Sequence, residues 1–442
     1  VLTILTNSIR ADVTTPCRRG QLGRLEQFGE PTLGCCAMQL VTYFTSFAFS
    51  LFGNSIANVV LPVLVLVSTG EVLAAGIVAV ASGASTFVFG LLSGPLIDRY
   101  DRRLLASAGD LVSASSIALL AAVGTFGELS LTWFIISAFL SGIGDMPAWN
   151  AREAMIYGVQ RHSGVALQTL VGVRETVSAL AIVLGPTFAG LLMNFFDARS
   201  VLWVTAATSL AAGALCLATP RAYGRMDTSE GGSSKIAYWS SFRDGIVFLG
   251  RRKNAVLRAL TGLNVASVML VTILQGLLIP VFMTLRGVDY ANGYALASVG
   301  LGLLAGGLIY ALIGARVPGW PLTLGASLLN VVGLALLVQF HSVIYTVVMC
   351  FLFGISSAAV GAVTGVVSLQ VTPEEMRGRL NGLQNSISMV IGPLGIFLTA
   401  WLIAGTSVAA ADWALVIFWV VVNALFLLNK RVRRAVQESQ TG

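Results

Sequence analysis

Apolar residues fill this chain in long blocks broken by short polar stretches. In helix, about 20 apolar residues cross a bilayer's hydrocarbon core, and twelve blocks meet that length: 40–66, 72–97, 104–124, 130–155, 166–194, 201–219, 256–285, 291–314, 320–340, 343–371, 382–405 and 411–429. The pattern predicts an all-α polytopic membrane protein with 12 transmembrane helices. Lys and Arg resist translocation, so their distribution orients the spans. Arg99, Arg102 and Arg103 (spans two to three), Arg161 (four to five), the long six-to-seven connection, Arg316 (eight to nine), and Arg377 and Arg379 (ten to eleven) fall on one side, while the other holds Arg199 and Arg286. Arg10 through Arg24 and Lys430 through Arg434 share the rich side. Both termini are therefore expected in the cytoplasm, with the body in the inner or plasma membrane.

Composition agrees. With 56% hydrophobic and 11% charged residues over 442 positions, polar surface is too scarce to cover a soluble globule. The net charge of +7 then reads as a topology signal, and no nucleic-acid partner is expected. The partners expected are the lipid bilayer, a small amphiphilic substrate and protons, with the chain acting as a monomer.

Five segments follow: a tail at 1–37, a six-helix bundle at 38–219, a linker at 220–255, a second six-helix bundle at 256–429 and a tail at 430–442. The first tail lacks the short apolar core and cleavage site of a secretory signal; the chain opens with Val, and Met38 stands just before the first span as a candidate start. Within the linker, "RMDTSEGGSSK" precedes the basic amphipathic "SSFRDGIVFLGRRKN". The two halves echo each other: "VLGPTFAGLL" (183–192) matches "VIGPLGIFLT" (390–399), and "GGLIYALIGAR" (306–316) ends its span where "GPLIDRYDRR" (94–103) ends the second. Internal repeats of this kind mark transporters.

Enzyme chemistry finds no inventory. His162 and His341 stand alone, and Cys17, Cys35, Cys36, Cys216 and Cys350 lack metal-ligand spacing. Cys35 and Cys36, beside a membrane edge, are acylation sites or ordinary thiols. No Gly-rich loop ending in Gly-Lys-Ser/Thr could hold a nucleotide, so transport would draw on an ion gradient. No cofactor and no metal site are expected.

Charges inside the bilayer cost about 2.5 to 3.5 kcal/mol each at a helix centre on insertion scales, so they should be few and functional. The candidates are Asp110 in the third span, Asp145, Arg152 and Glu153 in the fourth, and Arg174 and Glu175 in the fifth, all in the first half. Asp145, Trp149 and Arg152 recur at i, i+4 and i+7, on one helix face. Neighbours diverge by about 100°, so Arg174 and Glu175 are not expected to satisfy each other. Glu175, roughly 13 Å deep at 1.5 Å per residue, is the first candidate proton carrier, because burial raises a carboxyl pKa; Glu153 follows, with Arg174 or Arg152 as counter-charge. The alternative is a fixed ion-pair network joining the fourth and fifth spans. Asp110 is expected to be structural, paired with an Arg near the cytoplasmic end.

"GPLIDRYDRR" resembles the signature between helices two and three of the major facilitator superfamily, and the six-plus-six layout covers nearly the whole chain. The resemblance implies that Gly94 permits close helix approach, that Asp98 sits against the start of the eleventh helix, and that Arg99, Arg102 and Arg103 form a latch for the inward-closed state. Asp101 departs from the family's usual Gly. The second-half copy keeps one charge, Arg316. Gly185, Pro186 and Gly190 resemble the Gly-Pro motif of drug/proton antiporters, read as a bendable hinge or as packing. "PAWNARE" (147–153), together with the fifth-span Glu, resembles the drug-exporter branch that includes macrolide exporters and actinobacterial Tap-type multidrug pumps; where some of these carry an acid in helix one, this chain has Asn54.

The superfamily's fold implies a cavity between helices 1, 4, 7 and 10, which carry Phe47, Asn54, Asn58, Asp145, Trp149, Asn264, Gln275, Ser356 and Ser357 as candidate lining. Amides and aromatics with one or two acids suit a bulky, often cationic amphiphile. The reading is a proton-coupled exporter of hydrophobic or amphiphilic drugs. Its alternatives are export or flipping of a lipid-like molecule or siderophore, import of a small molecule, and a non-transporting sensor.

Overall fold

The computed structural model describes residues 33–97, 99–224, 246–251, 254–313, 319–337, 339 and 342–438. Twelve helices among them are long and apolar enough to cross a membrane. In order these are α1 (Leu33–Thr69), α2 (Val72–Ile97), α3 (Arg102–Phe126), α4 (Leu131–Ser163), α5 (Leu167–Phe195), α6 (Ala198–Ala218), α7 (Ala255–Leu285), α8 (Ala291–Ile313), α9 (Gly319–Leu337), α10 (Val343–Val371), α11 (Glu374–Gly405) and α12 (Val408–Leu427). A shorter helix, α13 (Lys430–Glu438), follows. No strand occurs among the described residues, as expected where hydrocarbon leaves backbone groups to be satisfied within each helix.

Local chemistry sets the ends. Ser342 and Ser407 accept hydrogen bonds from the Tyr345 and Ala410 amides, each at 3.2 Å, capping α10 and α12. Asp101, the residue that departs from the family signature, accepts from the Arg103 amide at 2.9 Å and caps α3. Gly164 closes α4 in the left-handed region with φ 70°. In α7, Pro280 lacks an amide hydrogen and crowds the turn before it; the helix widens there into a π-turn, Leu274–Leu278.

α4 and α11 extend beyond their apolar spans, because their polar residues continue the helix past the hydrocarbon. α1 likewise begins at Leu33, inside the segment expected as a tail. The segment expected as the second tail is helical over Lys430–Glu438. α13 carries apolar residues at i and i+4, and Val432 and Val436 are fully buried against the ends of neighbouring helices. Most of the 220–255 linker lies outside the described residues; at 246–250 it is helical, and Phe248 and Leu249 pack with Leu257, Leu380 and Leu383.

The helices form two groups that meet through α2 with α11, α5 with α8, and α1 with α7. They do not meet equally along their length. One end of the bundle carries the Arg-rich turns and is called the basic end here. At the opposite end a single apolar core joins both groups, from Ile56, Val59 and Val60 to Leu277, Leu278 and Ile279. Toward the basic end the first group has a cluster of its own, Tyr43, Phe44, Met155 and Ile156, while the second keeps part of the main core, to Val432 and Val436, beside a small cluster of Leu257, Leu380 and Leu383. Glycines report the same split. At the joined end Gly190 of α5 lies against Gly293 and Tyr290, and Gly76 of α2 against Phe397 and Ala400. Near the basic end the Cβ positions of Gly94, Gly172, Gly262 and Gly382 meet nothing within 4 Å. The groups are closed at one end and splayed at the basic end.

Candidate functional site

Small residues bring α3 and α4 together: Gly109 and Gly144 meet backbone to backbone, the close approach that glycine permits between membrane helices. Eight residues above one and one residue beyond the other sit Arg152 and Asp110, each 2% exposed. Arg152 Nη1 donates to Asp110 Oδ1 at 3.0 Å, and Nη2 pairs with Oδ2. α1 completes the shell. Arg152 also donates to Ser50 at 3.2 Å and Ser46 at 3.3 Å; Ser50 donates to Asp110 at 3.3 Å, and Ser46 to the Ala212 carbonyl of α6 at 2.8 Å. The Tyr43 hydroxyl donates to the Arg152 carbonyl at 2.9 Å. Four helices thus converge on one bidentate ion pair, the geometry in which attraction offsets the several kcal/mol of desolvation each ion pays.

The expected face of α4 is present and turns toward α1 and α3. Asp145 lies close to Ser113 of α3 and within electrostatic reach of Asp110 and Arg152. Trp149 packs on Phe47 of α1, ring centroids 5.6 Å apart. Beside this face, Arg174 of α5 donates to Glu153 at 2.8 Å and to Glu175 at 2.5 Å. This overturns the expectation that Arg174 and Glu175 cannot satisfy each other: their Cβ atoms diverge, but a guanidinium on three methylenes folds back across the gap. Glu175 is also not sequestered, with 62% of its side chain exposed against 39% for Glu153 and 23% for Arg174.

Four carboxyls, Asp110, Asp145, Glu153 and Glu175, therefore face two guanidiniums, Arg152 and Arg174. Glu153 links the two sets by following Arg152 along α4. The cluster lies on the side of the first group where the bundle is splayed.

Further residues expected in the lining divide. Asn58 of α1 and Asn264 of α7 are exposed although both stand well inside their spans, and Asn54 and Gln275 are partly buried. Phe47 is 2% exposed. Ser356 and Ser357 accept from Asn330 of α9 at 2.9 and 2.7 Å, and Asn330 in turn accepts from the Trp419 indole at 2.7 Å. Ser356 is 1% exposed, so its hydroxyl serves the interior of the second group instead of the lining.

A model of the Major Facilitator Superfamily matches residues 43–396. The chain belongs to that superfamily. It is similar to the multidrug efflux pump Tap of Mycolicibacterium fortuitum, 26% identical over 388 residues that cover 86% of this chain and 93% of that protein. It is also similar to macrolide efflux protein A of Streptococcus pyogenes, 23% identical, covering 82% and 89%. Among solved structures it resembles the nucleoside transporter NupG, with TM-score 0.71, 13% identity and coverage of 88% and 98%. A bacterial homolog of the human lysosomal transporter Spinster, solved inward-facing and unoccupied, gives TM-score 0.68, 12% identity and coverage of 91% and 98%. As a member of this transporter superfamily, the chain is a multi-pass membrane transporter and not an enzyme.

The superfamily's latch signature is only partly in view. Asp98 lies outside the described residues, as do Arg316 and the side chains of Arg377 and Arg379. Gly94 is exposed and touches no other helix, so the close approach expected there is absent in this conformation, in which the two groups part at the basic end. Arg99 is exposed in the turn. Arg102 donates to the Ala154 carbonyl of α4 at 3.0 Å, and Arg103 to the Leu217 and Thr219 carbonyls at the end of α6 at 3.0 and 2.9 Å. Arg103 neutralises the C-terminus of α6, Arg102 ties the start of α3 to the body of α4, and these bonds stay within the first group. α5 runs unbroken through Pro186; Gly185 packs on Ser55 of α1, and Gly190 on α8. In this conformation the Gly-Pro motif acts as packing.

Two things escaped the sequence reading. The serines and Tyr43 of α1 that complete the Arg152 shell carry no charge to flag them. Asp412 of α12 is a seventh intramembrane charge, 4% exposed, and corrects the expectation that all such charges lie in the first half. Its position near the end of the last apolar block concealed it.

Proposed function

We propose that this transporter exports amphiphilic, often cationic drugs in exchange for protons, by alternating access, with the basic end facing the cytoplasm and the splayed groups forming an inward-facing cleft. The observation that carries the proposal is the imbalance of four carboxyls around two guanidiniums in a membrane-embedded site. Such a site holds excess negative charge that only a proton or a cationic substrate can neutralise when the cleft closes and water leaves. The names of the similar efflux proteins support drug export as the direction of use.

Within the cluster, Asp145 is the proposed proton carrier, because it alone of the four acids makes no ion pair with a guanidinium. Arg152 responds to its charge across the short gap on the same helix face. Glu153, Arg174 and Glu175, being exposed, form the entry for a cation. Trp149, backed by the buried Phe47, offers aromatic surface, while Asn58 and Asn264 supply hydrogen bonds at the cleft walls, since amides facing hydrocarbon would leave theirs unmade.

The test uses inverted membrane vesicles with an imposed proton gradient and a fluorescent cationic dye. Wild type should accumulate dye until a protonophore is added, and dye addition should release protons. Asp145→Asn should lose proton release while still binding dye. Dye accumulation by wild type that survives the protonophore would overturn proton coupling.

A further inference from the structure

Asp412 is used by nothing described so far. It sits four residues into α12, about 6 Å along the helix at 1.5 Å per residue, near the end of the bundle where the two groups are joined. The residue is 4% exposed, and Oδ1 has no hydrogen-bond partner. α12 packs against α7, α9 and α11 and, through its other end, against α13, whose Lys430, Arg431, Arg433 and Arg434 stand at the basic end, more than fifteen residues along the chain from Asp412. α9 carries no charged residue; the charges of α11, Glu374, Glu375, Arg377 and Arg379, all stand in its first turns at the basic end; and α7 has only Arg258, also near the basic end. Arg286, just beyond α7, lies over the Phe282 ring at 4.3 Å. Among the described side chains none makes an electrostatic contact with Asp412.

An ionised carboxylate so placed would have neither a counter-ion nor a donor, a state that several kcal/mol of desolvation disfavours. A bound metal cation is a poor solution, because hard cations need several oxygen ligands and no group of three His, Cys, Asp or Glu that could hold one occurs among the described residues. A proton needs only the carboxyl itself. Asp412 also shares its buried helix face with Trp419 and Asn423, and Asn423 Oδ1 and the Ser327 hydroxyl of α9 are buried without partners as well. The second group thus holds a row of under-satisfied polar atoms with no cation among them.

We infer that Asp412 is a proton-binding site of the second six-helix group, occupied by a proton at neutral pH in this conformation. It is separate from the charge cluster of the first group and does not depend on the proton-coupling reading.

The experiment is infrared difference spectroscopy of the purified full-length protein in lipid nanodiscs across the neutral pH range, comparing wild type with Asp412→Asn. The expected result is a carbonyl band of a protonated carboxyl in wild type at neutral pH that the variant lacks. An unchanged band on substitution means that Asp412 is ionised and overturns the inference. Should Asp412→Asn fail to fold, an apolar carbodiimide, which reacts with protonated buried carboxyls, is applied to wild type and the adduct mapped by mass spectrometry. An adduct on Asp412 that disappears at alkaline pH supports the site, and no adduct at neutral pH overturns it. Export that ignores a protonophore would sink the coupling proposal while leaving this band in place.

Discussion

Replacing Asp110 by alanine strips Arg152 of its counter-ion in a place where the guanidinium is 2% exposed. The remaining contacts, to Ser46 and Ser50, are neutral and longer than 3 Å. Breaking a buried pair by removing one partner costs about 3–5 kcal/mol, whereas replacing both partners with apolar groups of similar volume is often neutral or stabilising. Asp110→Ala and Arg152→Met should therefore each lower the thermal midpoint strongly, and the double variant should melt above either single one. The assay is thermal unfolding in one detergent, followed by tryptophan fluorescence, closed as a double-mutant cycle. Dye export by the double variant then separates the roles: restored stability without export means that the pair takes part in transport, while restored export means that it only holds α3 to α4. Strictly additive losses would refute the reasoning, because they would mean that the two charges do not depend on each other.

Gly293→Leu inserts a side chain where α8 meets Gly190 of α5; it should hold the joined end open, abolish export and reduce thiol labelling of an introduced Asn264→Cys from the basic side. Val432→Ser with Val436→Ser buries hydroxyls in place of two fully buried methyl pairs, each side chain contributing about 1.5–3 kcal/mol when buried; the thermal midpoint should fall and limited proteolysis should remove α13 first. Glu175→Gln touches a side chain that is 62% exposed, where an ion pair is worth about 0–1 kcal/mol. Its thermal midpoint should match wild type, while uptake of a cationic dye weakens and that of a neutral dye does not.

Hydrophobic block length was enough to find the twelve helices, because nothing but a helix satisfies its backbone in hydrocarbon. The Gly-Pro echo between α5 and α11 was legible too, and its physical content is contact. Gly185 and Gly190 set α5 against α1 and α8, while Pro393 and Gly395 set α11 against Gly83 of α2 and Met269 of α7. Which charges pair was not legible. Asp110 and Arg152 lie 42 positions apart, and their meeting depends on the Gly109–Gly144 approach, which the pattern of charges does not encode. Side-chain reach defeated the helical-wheel argument at Arg174 and Glu175. Burial of Val432 and Val436 was hidden because composition averages a basic segment over its two faces.

The contacts between the groups and the charges within the first group do different work. At the joined end, α5 meets α8 through Gly190 and Gly293, and α2 meets α11 through Gly83 and Pro393; these are shape contacts without ions, so separating them leaves no buried charge behind. The basic side is the reverse. There Glu153 and Glu175 share the single guanidinium of Arg174, with 39% and 62% of their side chains exposed. Closing that side would move the uncompensated carboxylate out of water, at a cost of several kcal/mol, unless a proton or a cationic substrate arrives first. Opening one end is thus limited only by packing, while closing the other is conditional on charge. On the proposed proton-coupled function, that asymmetry couples transport to neutralisation without an ion pair between the two groups, and none bridges them among the described residues.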